Sequence, residues 1–142
     1  MSVRSIEFTE LEKEISKTGK SYMDLLAPEV GRVYVVAISK DRCPACERQK
    51  PKMDELAKST AEKHGKRVVF VRVHVKHPTE KDKETLRCKD VFGHYFYPTN
   101  LILLRTRDRG VVEYYRNVSP RMSELRRSIE AAVEIAQMFE KP

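Results

Sequence analysis

The sequence predicts a three-layer α/β/α fold in which a small mixed β-sheet carries helices on both faces. Two near-continuous apolar runs rich in valine, 32–39 and 66–75, have the length and the β-branched content of buried strands. A long helical pattern separates them, so these two strands should be parallel. Two shorter runs, 100–104 and 111–116, are joined by a polar segment ending at Gly110, which predicts an antiparallel hairpin. The predicted order is one helix followed by β-α-β-α-β-β-α.

The first helix is predicted over residues 1–16. Apolar side chains recur there at three- and four-residue steps, and Gly19 is a suitable stop. A short helical turn over 21–26 follows. We therefore expect one domain of 142 residues, with a helical N-terminal extension at 1–30 and a core at 31–142.

Three further helices are predicted within the core. The longest covers 43–64 and contains Pro51, which should kink it. The next covers 79–92 and is capped by its first residue, Thr79. The last begins at the Ser119-Pro120 pair, in which serine would cap the helix and proline would occupy its first turn.

The net charge of +7 first suggests an acidic partner such as nucleic acid. The excess is not a basic tail, because residues 1–30 carry a net charge of −2 and residues 119–142 a net charge of zero. Residues 31–75 carry +6, so the charge surrounds the first two predicted strands and the long helix. The alternating arginines of the hairpin (Arg105, Arg107 and Arg109) are typical of a solvated face, and we expect no nucleic-acid partner.

The sequence also bears on where in the cell the protein is located. No apolar run approaches the roughly 20 residues that cross a bilayer, so no membrane partner is expected. The charged N-terminal segment has no secretory apolar stretch, which predicts a cytoplasmic protein. Asn and Gln together number only four while Lys, Arg and Glu are abundant, a bias typical of thermophilic proteins that the five Met residues do not share.

The motif Cys43-Pro44-Ala45-Cys46 follows a predicted strand and opens the long helix. Unpaired N–H groups and the helix dipole stabilise a thiolate at a helix start, so Cys43 should be a nucleophile. Pro44 suits the first helical turn, and the two intervening residues let Cys46 reach back to close a small disulfide. Cys43 should therefore attack a substrate, and Cys46 should resolve the mixed disulfide that results. Nearby basic residues favour the ionised thiol over the opposing Asp41 and Glu47; they are Lys40, Arg42, Arg48, Lys50 and Lys52.

A structural zinc site is the alternative interpretation of the cysteines. Three cysteines and one histidine could supply four ligands, drawn from Cys43, Cys46, Cys88, His74, His77 and His94. A second cysteine pair is absent, and structural zinc sites usually hold their pairs on tight knuckles, so the redox interpretation is favoured. Burial of the pair as simple hydrophobes is a third interpretation, favoured less at this junction. The lone Cys88 is expected to be a buried structural residue.

The residues around the motif resemble the thioredoxin family over most of the chain. Pro51, five residues after Cys46, matches the kink proline of that family. Gly93 precedes Tyr97-Pro98-Thr99 with the spacing of the family's glycine and cis-proline, and Gly110 matches its hairpin glycine. The combination is more specific than the two cysteines alone.

The resemblance implies a thiol-disulfide oxidoreductase that needs no cofactor. It implies that Pro98 is cis and packs beside the disulfide, and that the backbone of Tyr97 pairs with a bound peptide. Pro44 and Ala45 would contact the same substrate. Without its neighbours, Pro98 would be interpreted as a strand-start proline. An apolar rim for the peptide is expected from Tyr95, Phe96 and Tyr97.

The sequence also departs from the family. Arg42 stands where thioredoxins have tryptophan. Ala37 stands where they have a buried aspartate that helps to remove the proton of the second thiol, so Cys46 must rely on water or another group, with Glu47 as a candidate. Asn117-Val118 stands where glutaredoxins use a Gly-Gly pair to hold glutathione, so glutathione binding is not implied.

Two hypotheses about function follow. The first is an enzyme that exchanges thiols and disulfides with protein substrates, favouring acidic ones. The sequence leaves its direction open between a reductase, an oxidase and an isomerase; as a reductase, it would receive electrons from a protein of the type that reduces thioredoxins. The second is a binding or scaffolding module that uses the groove at Tyr97 and Pro98 without turnover. The presence of both Cys43 and Cys46 favours the enzyme, since a binding module needs neither.

Overall fold

The computed structural model describes residues 3–76, 83–94 and 96–140. The predicted cap at Thr79, the candidate ligand His77 and the rim residue Tyr95 lie outside the described residues. The strands are β1 (Arg4–Glu7), β2 (Val33–Lys40), β3 (Val68–Val75), β4 (Thr99–Arg105) and β5 (Val111–Val118). The helices are α1 (Phe8–Thr18), α2 (Tyr22–Leu26), α3 (Pro44–His64), α4 (Lys83–Phe92) and α5 (Met122–Glu140).

The five strands form one mixed sheet in the order β1-β3-β2-β4-β5. β3 is parallel to both β1 and β2, whereas β4 is antiparallel to β2 and to β5. The predicted parallel pair and the predicted hairpin are therefore confirmed. β2 lies at the centre of the sheet, and its residues 33–39 are all buried.

Helices cover both faces of this sheet, which confirms the predicted three-layer α/β/α class. Along β2, Val35 and Ala37 join a core cluster with α3 and α5, and Val36 and Ile38 join a second cluster with α1, α2 and α4. This alternation follows from the two-residue period of a strand. The continuous apolar run of β2 is thus the pattern of a strand that is buried on both faces.

The N-terminal segment differs from the prediction. Residues 4–7, expected to begin a helix, form β1, which pairs with β3 at one edge of the sheet. The helical extension expected at 1–30 is therefore wrong in part, because its first residues belong to the sheet. The helical period that starts at Phe8 dominates the sequence pattern, whereas the four residues of β1 include a single large apolar side chain, Ile6. Such a strand is stabilised by backbone hydrogen bonds to a distant partner, which leave no local pattern.

The start of the last helix also differs from the prediction. α5 begins at Met122, two residues after Pro120. Ser119 does not cap it; this residue adopts a left-handed conformation with φ of 44°, and its N–H donates to the carbonyl of Pro98 at 3.4 Å. The chain must turn after β5 and remain tied to the segment before β4, so the helix starts later.

Two of the three hairpin arginines bind backbone carbonyls, and Arg105 is partly buried, whereas Arg107 and Arg109 are exposed as a solvated face requires. Arg105 donates from Nε to the carbonyl of Ala27 at 2.6 Å, and its guanidinium pairs with Asp24 at 2.9 Å. Arg107 donates to the carbonyl of Phe139 at 3.1 Å, at the end of α5. Their period of two reflects the hairpin geometry, but their partners are residues far away in sequence. Within the described ranges, none of the helices combines the length and the apolar character that a bilayer crossing requires.

Candidate active site

The two cysteines of the motif lie at the start of α3 and form a disulfide, with 5.2 Å between their Cα atoms. Cys43 is the N-cap residue, and its Sγ accepts the backbone N–H of Cys46 at 3.2 Å. The carbonyl of Cys43 accepts the N–H of Glu47 at 3.0 Å, which begins the helical ladder. The sulfur of Cys43 therefore occupies the position where a helix presents unpaired donors and the positive end of its dipole.

The local sequence explains this placement. Pro44 is at the first helical position, where its missing N–H costs nothing. Asp41, directly after β2, donates its backbone N–H to the carbonyl of Val75 at 3.0 Å, which ties the preceding loop to the end of β3. Arg42 then takes a left-handed conformation with φ of 57°, which turns the chain into the helix. Pro44 is exposed and Ala45 is partly exposed, whereas Cys43 and Cys46 are 6% and 8% exposed.

The peptide bond between Tyr97 and Pro98 is cis, as the sequence predicts. The carbonyl oxygen of Tyr97 lies 3.7 Å from Sγ of Cys43, so the segment before Pro98 is adjacent to the disulfide. Pro98 itself is buried, and β4 begins at the next residue. This proline is brought beside the cysteines from a position more than fifty residues away in the chain.

The side chain of Tyr97 is half-buried and held from several sides. Its hydroxyl donates to the carbonyl of Thr85 at 3.2 Å, and burial raises its pKa above the ordinary value. Nζ of Lys40 lies 5.1 Å from the centre of its ring, within cation–π range. Phe96, in contrast, is 67% exposed. Of the two rim residues that the structure describes, Phe96 is therefore the accessible one, and Tyr97 is largely part of the packing.

A buried pair of amides joins the helix of the cysteines to the strand of the proline. Nε2 of Gln49 donates to Oδ1 of Asn100 at 3.0 Å, and Nδ2 of Asn100 donates to Oε1 of Gln49 at 2.9 Å. Both residues are buried, so each amide is satisfied by the other. The start of α3 and the start of β4 are thereby held in register. Neither amide was distinguishable in the sequence from an ordinary surface residue.

A polar cleft of about 420 Å³ lies beside Cys46. Its lining combines the ends of β1, β2 and β3 with the first turn of α3: Ser5, Glu7, Ser39, Lys40, Asp41, Cys46, Glu47, Lys50, Arg72 and His74. Within it, Nε2 of His74 and Oδ1 of Asp41 are 2.8 Å apart. The sequence offers His74 as a candidate zinc ligand and Asp41 as a charge near the thiols. It does not indicate that the two pair with each other beside Cys46, because the pairing of β2 with β3 brings His74 to Asp41.

Cys88 is separate from this site. It lies in α4, is fully buried in the core cluster with α1 and α2, and burial raises its pKa to about 12. The prediction of a buried cysteine there is confirmed. In the described part of the chain no group of three histidine, cysteine or acidic side chains is arranged to hold a metal ion, so the alternative zinc site is not assembled from those residues.

The other described histidines are explained by packing. His64, in the last turn of α3, lies 2.6 Å from Oε2 of Glu130 on α5. His94 is 5% exposed between the rings of Phe92 and Tyr97, with centroids 6.2 Å and 4.6 Å away. Burial, together with the cations Arg116 and Lys89, lowers the pKa of His94 to about 4. His94 is therefore a neutral aromatic spacer under the segment that leads to Pro98.

Neither the protein-family models nor the curated proteins include a significant match to this sequence. Solved structures do match. Thioredoxin f from spinach chloroplast, in its short form, aligns with a TM-score of 0.60 at 17% identity over 92% of this chain and 93% of that chain. A thioredoxin of Trichomonas vaginalis aligns with a TM-score of 0.58 at 16% identity over 91% and 96%. A chain in a complex of ferredoxin:thioredoxin reductase with thioredoxin f2 aligns with a TM-score of 0.59 at 18% identity over 92% and 94%.

These likenesses extend over almost the whole of each chain, and their low identity means that they report on architecture alone. The protein therefore has the thioredoxin fold.

Proposed function

We propose that the protein exchanges thiols and disulfides with protein substrates through Cys43 and Cys46. The observation that carries the proposal is the position of the Cys43 sulfur, which caps α3 and accepts a backbone N–H at 3.2 Å. A thiolate at that position is stabilised by the same donor and by the helix dipole. Cys43 is accordingly the attacking residue, and Cys46, already within disulfide reach, is the resolving one.

The substrate segment is proposed to bind beside Pro98. The Tyr97 carbonyl lies 3.7 Å from the Cys43 sulfur, so a peptide that pairs with this backbone would bring its own sulfur to Cys43. Phe96 supplies an exposed apolar contact, and Pro44 and Ala45 form the surface between the two cysteines. The net charge of +6 carried by residues 31–75 favours acidic protein partners.

The reduced state needs an electron donor. One structural neighbour belongs to a complex of ferredoxin:thioredoxin reductase with thioredoxin f2. By analogy of fold, we propose that a reductase protein restores the two thiols of this chain after each turnover. The balance is two electrons and two protons for each Cys43–Cys46 disulfide reduced.

Reduction of insulin in the presence of dithiothreitol tests the enzyme. The wild-type protein should accelerate the precipitation of insulin, and Cys43→Ser should return the rate to that of dithiothreitol alone, because a serine hydroxyl is not ionised near neutral pH. Cys88→Ser is the matched control, since it also removes one sulfur, and it should retain most of the activity. Equal rates for the wild type and Cys43→Ser would reject the proposal.

A binding module without turnover is the second candidate, favoured by the exposed Phe96 next to the cis-proline. Cys46→Ser should trap mixed disulfides between Cys43 and its partners if the enzyme proposal holds. If the protein is only a binding module, the variant that lacks both cysteines should capture the same partners as the wild type, and neither should accelerate insulin reduction.

A further inference from the structure

We propose that His74, oriented by Asp41, accepts the proton that Cys46 loses when it resolves the mixed disulfide. The inference rests on the proposed exchange reaction and assigns a residue to its second step. His74 is the proton-accepting residue, and Asp41 is a positioning residue that acts through it.

The second step requires a base. Only a thiolate attacks a disulfide efficiently, so Cys46 must give up its proton before or during the attack. The buried position 37 on β2 offers no acid, because Ala37 is 3% exposed and carries a methyl group only. Its register partner on β3 is Arg72, a cation that donates no lone pair. The proton must therefore leave by another route.

A route for the Cys46 proton lies at the ends of the parallel strands of the sheet. His74 on β3 is in register with Ser39 on β2 and with Glu7 on β1, so these three side chains share one face of the sheet. That face opens into the cleft of about 420 Å³ that Cys46 also lines. The hydroxyl of Ser39 is completely shielded and has no hydrogen-bond partner among the described residues, and a hydroxyl can both donate and accept a proton.

The pairing of His74 with Asp41 equips the imidazole for proton uptake. Their Nε2 and Oδ1 atoms are 2.8 Å apart, so a proton on Nε2 is held by the carboxylate and Nδ1 is left as the acceptor. The backbone N–H of Asp41 is fixed to the carbonyl of Val75, which holds the carboxylate at the end of β2. Once Nδ1 is protonated, the same carboxylate stabilises the imidazolium, as in a catalytic triad.

Resolution of the mixed disulfide conserves atoms and electrons. The Cys46 sulfur forms a bond to the Cys43 sulfur while the bond from Cys43 to the substrate sulfur breaks, and the electron pair leaves with the substrate thiolate. The proton of Cys46 passes to His74, directly or through water in the cleft, and later reaches solvent. Over both steps the substrate disulfide is reduced by two electrons, and the two cysteines of this chain are oxidised by two.

The other ionisable groups that face the cleft suit this role less well. Glu7 and Glu47 carry carboxylates, which as a class are weaker proton acceptors near neutral pH than an imidazole. Lys40 and Lys50 are cations that favour the thiolate but do not take its proton. Arg72 does the same, and it is paired with Asp54 at 3.3 Å.

The test separates the two steps in a stopped-flow reaction with dithiobis-nitrobenzoate, an aromatic disulfide that releases a coloured thiolate twice. The first release reports the attack by Cys43, and the second reports resolution by Cys46. His74→Gln keeps a hydrogen bond but takes up no proton. Near pH 7 it should slow the second release roughly 10- to 100-fold and leave the first within about twofold. The difference should shrink as the pH rises toward the ordinary thiol pKa of about 8.5, where the thiol ionises without a base.

Two further variants complete the experiment. Asp41→Asn should slow the second release in the same direction but less, because the imidazole remains. His64→Gln is the matched control, since it breaks a histidine–carboxylate pair at the opposite end of α3, and it should change neither release. An unchanged second release in His74→Gln, or equal slowing of both releases, would overturn the inference while leaving insulin reduction by the wild type intact. Absence of insulin reduction by the wild type would instead overturn the proposed function, and this inference with it.

Discussion

The two kinds of cysteine in this protein lie on either side of one residue, Tyr97. Its carbonyl oxygen is 3.7 Å from the sulfur of Cys43, and its hydroxyl interacts with Cys88 on the other side. Cys43 caps a helix and receives a backbone N–H, whereas Cys88 is inside a helix and fully buried among apolar side chains. Burial raises the pKa of Cys88 to about 12, and the hydrogen bond from Tyr97 offsets this only in part.

In this protein, the ease with which a cysteine thiol ionises depends more on its position relative to a helix end than on its distance from the substrate groove. At a helix start the unpaired donors stabilise the thiolate. In the middle of a helix every N–H is already used, so burial is the largest influence on the Cys88 thiol and opposes its ionisation.

The largest expected effect is on alkylation of the reduced protein. Iodoacetamide near pH 7 should label Cys43 at least about 10³-fold faster than Cys88, since a pKa of about 12 leaves a thiolate fraction on the order of 10⁻⁵. Mass spectrometry of the digested protein measures both rates. The denatured chain is the control, in which the two cysteines should react at similar rates. Comparable labelling rates for Cys43 and Cys88 in the folded protein would contradict the expected difference in their reactivity.

The packing that encloses Cys88 should be worth several kcal/mol. Phe92 is 2% exposed, and its ring centroid lies 4.5 Å from that of Tyr22 and 6.4 Å from that of Phe8. Phe92→Ala should lower the free energy of unfolding by about 3–5 kcal/mol in urea titrations and should speed the labelling of Cys88. Phe96→Ala, at an exposed position, is the control and should cost less than about 0.5 kcal/mol. Similar losses in the two variants would contradict the burial of the face that holds Cys88.

A smaller effect is expected from His94, which packs against Tyr97. Its folded pKa of about 4 is below the ordinary value of about 6.5, so between these pH values the unfolded chain binds a proton that the folded protein does not. Stability should therefore fall as the pH falls, by about 2 kcal/mol between pH 7 and pH 5. His94→Phe should remove that part of the loss, as measured by urea unfolding at both pH values. Parallel losses in the wild type and the variant would contradict the assignment.

Much of the fold can be predicted from the sequence, because the patterns that indicate strands and helix starts lie within short segments. The first six residues of β2, 33–38, are all apolar, which indicates burial on both faces of the strand. The pair of cysteines with Pro44 between them marks a helix start through the chemistry of the first turn. β1 was missed, since its four residues are stabilised by pairing with β3 and carry no pattern of their own.

The candidate site could likewise be predicted from the sequence only in part. The reactive pair and its place at a helix start could be predicted from the residues themselves, because helix-end electrostatics act over a few residues. The cis conformation of Pro98 was implied only by the resemblance to thioredoxins, and the structure confirms it. The surroundings of Cys46 depend on the tertiary structure. His74 and Asp41 meet across 33 positions of sequence, and Gln49 and Asn100 across 51. Such contacts depend on strand register and helix packing. Both are stabilised by residues far apart in the chain, so a pattern within one segment does not predict them.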